Sequence, residues 1–376
     1  MASSSTAVAA SPLALICAAL VAGGLIAYAT LGGADFGGGV WSLIARGPRA
    51  ERQREAVAHA LGPVWEANNV WLIYVITVTW TAFPVVYAGV STALFIPIVL
   101  ALVGIVLRGA GFGLRSQYAR SAGMAATWGY IFQGASAIAP FMLGALAGGI
   151  ASGDIHIRQG VVRANLWTTW TTPFALTCGL FAVTLCATLA ATYLAVEAQT
   201  AGDAELVEDF RLRALVAGAV TAAVGALAAL LAAFESPRLW AGLIGQALPL
   251  SLGAVLIGLG TAYMLLRGRF ALARYLVAGE MTCILAAWAV AQYPYLIIPD
   301  VTIASAAAPE SVLLAVTLAS AAGMLLLFPS LWYLFHSFKG RHQTAPTQTA
   351  ANLADEGFRR AFAPSDGEPP TGTGGD

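Results

Sequence analysis

Long apolar runs bounded by charged or turn-forming residues divide most of the chain. They lie near residues 11–34, 65–84, 87–107, 124–150, 167–196, 212–234, 241–266, 273–293 and 311–336. A helix needs about 20 apolar residues to cross the hydrocarbon of a bilayer. The runs are too long for barrel strands and do not alternate apolar and polar positions, so helices are the structure that pairs their backbone amides in lipid. The pattern predicts an all-α, polytopic membrane protein with about nine transmembrane helices.

The composition also indicates that lipid surrounds most of the chain. Hydrophobic residues make up 59% of the 376 residues and charged residues 10%, whereas soluble domains carry about 25% charged residues. The first run has no basic residue before it and continues to Gly33, so we expect a first transmembrane helix and not a cleaved signal peptide. The cysteines lie inside apolar runs without paired spacing, which favours small core residues over disulfide or metal roles. They are Cys17, Cys178, Cys186 and Cys283.

Basic residues segregate to one side of a nine-helix map. Sixteen of the 19 Lys and Arg residues fall on one side, and Arg158, Arg163 and Arg238 fall on the other. The larger set is Arg46, Arg49, Arg52, Arg54, Arg108, Arg115, Arg120, Arg211, Arg213, Arg267, Arg269, Arg274, Lys339, Arg341, Arg359 and Arg360. Because cytoplasmic loops are rich in Lys and Arg, we expect the N-terminus outside and the C-terminus in the cytoplasm.

The chain divides into one membrane domain and a tail. We interpret residues 1–340 as the transmembrane helical domain. Residues 341–376 combine Pro, Gly and Thr with mixed charge and lack a periodic apolar face. This composition predicts a disordered cytoplasmic tail.

Three carboxylates lie inside predicted spans, where each needs a partner, a water-filled cavity or a bound proton. They are Asp35, Glu66 and Glu280. Asp35 lies in GGADFGGGVW, whose glycines allow a neighbouring helix to approach closely. We expect Asp35 to accept hydrogen bonds from that helix. Its role is either structural packing near the cytoplasmic boundary or a polar function.

The densest polar cluster inside a predicted span is HALGPVWEANNVWLI, at residues 59–73. Pro63 suits the first turn of a helix, and Glu66 and Asn69 then fall one turn apart on one face. A carboxylate held among amides and away from bulk water is suited to passing protons. The alternative is a purely structural buried acid.

Histidines add little to this picture. His59 lies one turn before the polar core of this motif, on the loop side, and is either a proton donor toward Glu66 or an interfacial side chain. His156, His336 and His342 lie at span ends, in a loop or in the tail, so the sequence contains no obvious pair of axial haem ligands. Glu280, in YLVAGEMTC, lies about two turns into the eighth predicted span. It is either a second proton site or a carboxylate solvated from the cytoplasm.

An ordered set of motifs resembles one family. The blocks GGADFGGGVW, GPVWEANNVWLI, FPVVYAGVSTALFIP and LRGAGFGLR are similar, in order and spacing, to the N-terminal half of subunit II of cytochrome bd-type quinol oxidases. The later YPYLIIPDVTIASAAAPES and FPSLWYLFHSFKG are similar to the closing two helices of that family. The likeness runs from residue 24 to residue 340, and it is strongest in 30–116.

The resemblance implies a respiratory complex of the bacterial or archaeal plasma membrane that takes electrons from a membrane quinol and reduces dioxygen to water. In this family haems b and d and the quinol site belong to the partner, subunit I. Subunit II is a pseudo-symmetric body of two four-helix bundles plus one peripheral helix, and it is associated with proton supply to the haem site. A structurally bound quinone and a small single-helix subunit are further components that the family allows. Whether the donor is ubiquinol or menaquinol stays open.

Several residues match the family motifs. Glu66 matches an acidic position linked to proton uptake, and its neighbours Trp65, Asn68 and Trp71 match the same motif. Asp35 matches the acid of the first helix. Two basic residues, Arg108 and Arg115, match the pair that follows the third helix. The roles of Asn69 and Glu280 are left open by the resemblance.

A secondary transporter is the alternative from another class, since several spans with a few membrane acids also occur there. Transporters commonly have broken helices around a midplane substrate site. The sequence shows no paired broken helices, and it suggests that Asp35, Glu66 and Glu280 all lie toward the cytoplasmic side.

Overall fold

The computed structural model describes residues 10–61, 68–117, 122–158 and 160–341, and within these ranges it is almost entirely helical. The helices are α1 (Pro12–Ile44), α2 (Ala50–Leu61), α3 (Asn69–Ala82), α4 (Pro84–Ala93), α5 (Phe95–Gln117), α6 (Ala122–Ser152), α7 (Pro173–Thr200), α8 (Ala204–Glu235), α9 (Pro237–Ile244), α10 (Leu248–Leu266), α11 (Phe270–Gln292), α12 (Ile303–Ala306) and α13 (Glu310–Arg341). The strands are β1 (His156–Arg158), β2 (Val161–Arg163), β3 (Tyr295–Ile297) and β4 (Val301–Thr302).

The helices confirm the predicted membrane class. Within the described ranges, eight helices are long and apolar enough to cross a bilayer, and α3 with α4 makes a ninth if this bent pair counts as one span. The helix axis bends by 118° between α3 and α4. Pro84 begins α4, and because proline has no amide hydrogen to donate, α3 cannot continue through it.

Two predicted spans were wrong in their boundaries. The run 87–107 combines the end of α4 with the start of α5, and the helices are separated at Leu94. The run 241–266 combines the end of α9 with α10, and the break lies at 245–247. Hydropathy misses such breaks because the residues on both sides of each one are equally apolar.

The long helices form two groups. In the first, α1 contacts α3 and α6, and α6 contacts α5; in the second, α7 contacts α8 and α11, and α11 contacts α10. These groups are joined through α7, which packs against both α1 and α6. Gly37 makes the α1–α7 contact close, since a side-chain methyl there would overlap the backbone carbonyl of Cys186. Two sets of four helices agree with the arrangement expected from the resemblance.

Three of the polar connections meet at one end of the body, which we call the arginine-rich end. Arg52, on α2, forms ion pairs with Asp203 at 2.6 Å and with Glu205 at 2.9 Å, both at the α7–α8 turn. Arg211 donates to the carbonyl oxygen of Leu266 at the end of α10. The connections α1–α2, α7–α8 and α10–α11 therefore lie together, as an alternating arrangement of spans requires.

Asp203 caps α8 at this end. The backbone amide of Leu206 donates to its side chain. This hydrogen bond, together with the bond and charge of Arg52, lowers the pKa of Asp203 below its ordinary value. The two acids Asp203 and Glu205 in turn raise the pKa of Arg52.

The connections at the opposite end form small β-structures that the sequence patterns did not predict. Antiparallel hairpins β1–β2 and β3–β4 are linked by a bridge between Ile155 and Pro299. The amide of Ala308 donates to the carbonyl oxygen of Ala82 at 2.9 Å, which brings the α12–α13 connection to the α3–α4 bend. The aromatic segments around 167–170 and 293–300 lie in this layer.

Contacts within the chain separate two units. The first is Met1–Thr317, which contains the helices and hairpins described above. The second is Leu318–Asp376, whose described part is the rest of α13 with Pro329 inside it. Helix α13 ends at Arg341, and the predicted tail beyond it lies outside the described residues.

Candidate functional site

A buried acid on α1 is held by the first residues of the next transmembrane helix. Asn68 precedes α3, and its Nδ2 donates to Oδ2 of Asp35 at 2.7 Å and to the carbonyl oxygen of Leu31 at 3.1 Å. The structure thus contains the hydrogen bond to Asp35 that the glycine-rich motif led us to expect. One amide group ties the start of α3 to two successive turns of α1.

Arg108 completes what we call the Asp35 cluster, namely Asp35, Asn68 and Arg108. Its Nη2 lies 3.9 Å from Oδ2 of Asp35, and the side chains are 4% and 13% exposed, respectively. The distance is that of an ion pair and exceeds that of a hydrogen bond. Buried charges are tolerated when they are paired, and their attraction is strong where water is scarce.

The position of Arg108 corrects the sequence interpretation. The charge map assigned Arg108 to a loop after the third span, but α5 continues to Gln117 and the arginine lies inside it. Its guanidinium lies 4.9 Å from the ring centroid of Phe36 and 5.7 Å from that of Phe132. Local hydropathy ends a span at the first charge, because it cannot detect a counter-charge contributed by a distant helix.

The surroundings of the cluster are apolar and contain polar atoms without protein partners. Nε of Arg108 and the hydroxyl of Tyr28 are buried and make no hydrogen bond within the described residues. The Tyr28 ring meets Phe36 edge to face, with centroids 6.2 Å apart. Trp71, from the same motif as Asn68, packs against this core. The site is a charge pair and an amide set in an otherwise apolar interior.

Other predicted site residues are only partly described. Trp65 and Glu66 lie outside the described residues. His59 belongs to α2 and Arg115 to α5, but the structure does not describe their side chains. Asn69 begins α3 and is half-buried. Of the predicted residues, the structure therefore brings together Asp35, Asn68 and Arg108, and Glu66 precedes Asn68 by two positions in the sequence.

Glu280 is not part of the Asp35 cluster. It is the eleventh residue of α11, so it lies about 15 Å from the start of a helix of 23 residues. This places it near the middle of α11, and its position toward the cytoplasmic side of the membrane stays a prediction. The half-buried carboxyl group faces the backbone of α10, where a methyl group on Gly258 would lie 2.8 Å from Oε1.

The chain as a whole matches one protein family. The model of the family described as "Cytochrome bd terminal oxidase subunit II" matches residues 13–338. The chain belongs to this family. It is a multi-span protein of the plasma membrane. The match includes all three members of the Asp35 cluster and also Glu280, so these polar side chains all lie inside the family's common region.

Individual relatives agree with the family match. Subunit 2 of the cytochrome bd-I ubiquinol oxidase of Escherichia coli (strain K12) is 30% identical over 210 residues, which are 54% of this chain and 53% of the relative. The chain thus spans about half the length of that relative. The putative cytochrome bd menaquinol oxidase subunit II of Bacillus subtilis (strain 168) is 24% identical over 335 residues, 86% of this chain and 95% of the relative.

A solved structure has the same fold. In the structure of bd oxidase from Geobacillus thermodenitrificans, one chain matches with a TM-score of 0.71 at 21% identity. The match covers 88% of this chain and 100% of the other. About four in five of the matched residues differ, so this comparison establishes a shared arrangement of helices and nothing further.

Side chains that bind metals do not cluster in the part of the chain that the structure describes. Within the described ranges, no group of three or more His, Cys, Asp and Glu side chains could hold a metal ion. The described side chain of His156 lies in β1, where its Nδ1 is 3.0 Å from Oδ2 of Asp300.

Proposed function

We propose that this chain is subunit II of a respiratory quinol oxidase that passes electrons from a membrane quinol to dioxygen. The observation that carries the proposal is the family match over residues 13–338. A subunit I partner supplies haems b and d and the site of quinol oxidation, and this chain is not catalytic alone. A bound quinone and a small single-helix subunit are components that the same family assignment allows.

The orientation proposed for the chain has its N-terminus outside and its C-terminus in the cytoplasm. Two observations support it. Arg49 and Arg52 pair with the α7–α8 turn at the arginine-rich end. The sparse group of Arg158, Arg163 and Arg238 belongs to the end with the β-hairpins. Lys and Arg accumulate on the cytoplasmic side of membrane proteins, which assigns the arginine-rich end to the cytoplasm.

We further propose that Glu66, assisted by Asn69, His59 and Asp35, supplies protons from the cytoplasm toward the haems of the partner. Support comes from the Asp35 cluster, which fixes Asn68, the first residue after the 62–67 segment, against α1, whose Asp35 in turn pairs with Arg108 of α5. A proton-transfer group works only when it is held at a defined distance from its neighbours. Asn68 provides such a fixed point two residues after Glu66.

Copurification tests the subunit assignment. We expect the affinity-tagged chain to bring a second large subunit, and the purified material to show haem absorbance in the visible range. A colourless chain that purifies alone would contradict the assignment and favour the secondary transporter. The bent α3–α4 pair is the feature that such a transporter would use, although α4 lies at the hairpin end against β2 and α12.

Glu66→Gln tests the proton route in the assembled oxidase. We expect quinol-dependent oxygen uptake to fall about tenfold or more, because the amide cannot carry a proton, while the haem spectrum stays unchanged. Glu280→Gln makes the same chemical change in a second membrane glutamate, whose carboxyl group lies against α10. A loss confined to Glu66→Gln supports the route, whereas an equal loss in both variants would not assign it to Glu66. Normal uptake by Glu66→Gln with full haem content would refute the route and leave the subunit assignment standing.

A further inference from the structure

An open cavity of about 490 Å³ lies at the arginine-rich end, between the α1–α2 connection and α8. Arg46 and Arg49 line it from the connection, and Asp209, Leu212 and Arg213 line it from α8. The cavity is separate from the Asp35 cluster, and neither the family assignment nor the proposed proton route gives it a role.

The cavity carries more positive charge than its own acid can balance. Among the described residues that line it, Asp209 is the only acid, and both of its carboxylate oxygens are occupied: Arg49 donates to Oδ1 at 2.7 Å and Gln53 donates to Oδ2 at 2.9 Å. Glu205, outside the lining, lies 3.9 Å from the same Arg49 guanidinium. Arg46 forms no ion pair or hydrogen bond with any described residue. Two of the three guanidinium charges therefore lack a carboxylate, which makes the cavity a site for an anion.

One of these arginines is held rigidly. Nη2 of Arg213 donates to Oε1 of Gln53 at 2.6 Å, and the guanidinium lies 5.2 Å from the ring centroid of Trp41. Its Nη1 is buried and has no partner within the described residues. Because the side chain is already fixed, an anion that binds here loses little of its affinity to side-chain ordering.

The cavity continues into an apolar face. Leu212 is 61% exposed, and one and two turns further along α8 lie Val216, 54% exposed, and the exposed Val220. Residues four apart lie on one side of a helix. Leu212 also begins the apolar run of α8, and Ile44 ends α1 just before Arg46, so the cavity lies where both spans leave the hydrocarbon.

We propose that this cavity binds the phosphate group of an anionic phospholipid, whose acyl chains lie along the face formed by Leu212, Val216 and Val220. Basic pockets at the membrane boundary are suited to such head groups. A free phosphate ion would use the same guanidinium groups, but it would leave the apolar face uncovered. The combination of charge and adjoining apolar surface therefore selects the lipid.

The test uses the full chain in its purified complex after removal of bound lipid. Binding of phosphatidylglycerol is measured by native mass spectrometry for the wild type, for Arg46→Gln and for Arg269→Gln. Arg46 is exposed and makes no contact that its replacement would break. Arg269 is the matched control, since it is an exposed arginine at the same end that does not line the cavity.

We expect Arg46→Gln to weaken the tightest phosphatidylglycerol site about fivefold, as the loss of one basic residue near a membrane surface implies. Arg269→Gln should bind as the wild type does, and phosphatidylcholine should not compete. Equal weakening by both variants would overturn the proposal, because the attraction would then be diffuse. Inorganic phosphate that displaces the lipid at equal concentration would also overturn it, by identifying a free-phosphate site.

Discussion

Removing the Asp35 carboxylate leaves the Arg108 guanidinium without its counter-charge. Asp35→Asn preserves the size of the side chain and an oxygen that can still accept from Asn68, so the perturbation is confined to charge. Arg108 is 4% exposed and cannot turn to water without repacking Phe36 and Phe132. The variant therefore isolates the electrostatic contribution of the Asp35 cluster.

The magnitude follows from the geometry. Two unit charges 3.9 Å apart attract by about 4 kcal/mol at an effective dielectric constant of about 20. Breaking a buried pair by removing one partner typically costs about 3–5 kcal/mol. We therefore expect Asp35→Asn to lower the free energy of unfolding by about 3–5 kcal/mol, a large share of the stability of a typical protein domain.

A double-mutant cycle provides the assay. Asp35→Asn, Arg108→Gln and the double variant are unfolded by titration with SDS in mixed micelles, and tryptophan fluorescence reports the transition. The double variant should lose clearly less stability than the sum of the single variants, because neither partner is then left charged and alone. Asp300→Asn, at the more exposed His156 pair, should stay within about 1 kcal/mol of the wild type.

The reasoning would be refuted by single variants that each lose less than about 1 kcal/mol, with a coupling energy indistinguishable from zero. Such values are typical of a solvated surface pair. They would mean that water reaches both groups and that the cluster does not fix the start of α3. The proposed route through Glu66 would then lose its structural support.

Two further outcomes are expected. Gly37→Ala should lower the free energy of unfolding by about 1–3 kcal/mol, because its methyl group would overlap the Cys186 carbonyl. Gly23→Ala is the control: a methyl group there has no atom within 4 Å, so this variant should be neutral or stabilising. Thermal unfolding compares the two. Asp203→Asn should keep the cap on α8 and remove a pH dependence of stability. A carboxyl group whose pKa is lowered by folding stabilises the fold at pH values above its pKa in the unfolded chain, which is about 4. That stabilisation is lost as the pH falls through the pKa of the folded state. Thermal unfolding between pH 7 and pH 3 should therefore show a steeper decline for the wild type, and parallel curves would contradict the assignment.

The sequence predicted the Asp35 site only in part. The glycines around Asp35 indicated a close helix contact with a hydrogen-bond donor, and Asn68 fills that role. The partnership with Arg108 was missed, because 73 positions separate the two residues along the chain. The sequence did contain a signal for it. Arg108 is followed by GAGFG, and the residues on both sides of it are apolar or have small side chains, a pattern that is more typical of a buried helix than of a loop.

The sequence alone determined the class of the protein and the approximate number of its spans. Both depend on the transfer of each segment from water to lipid, which is a local property that every residue carries with it. Tertiary structure decided which polar groups are buried together, where apolar runs break into bent pairs, and how the hairpins close one end. These features depend on contacts between distant segments: Arg108 is acceptable inside a membrane helix only because α1 brings Asp35 to it.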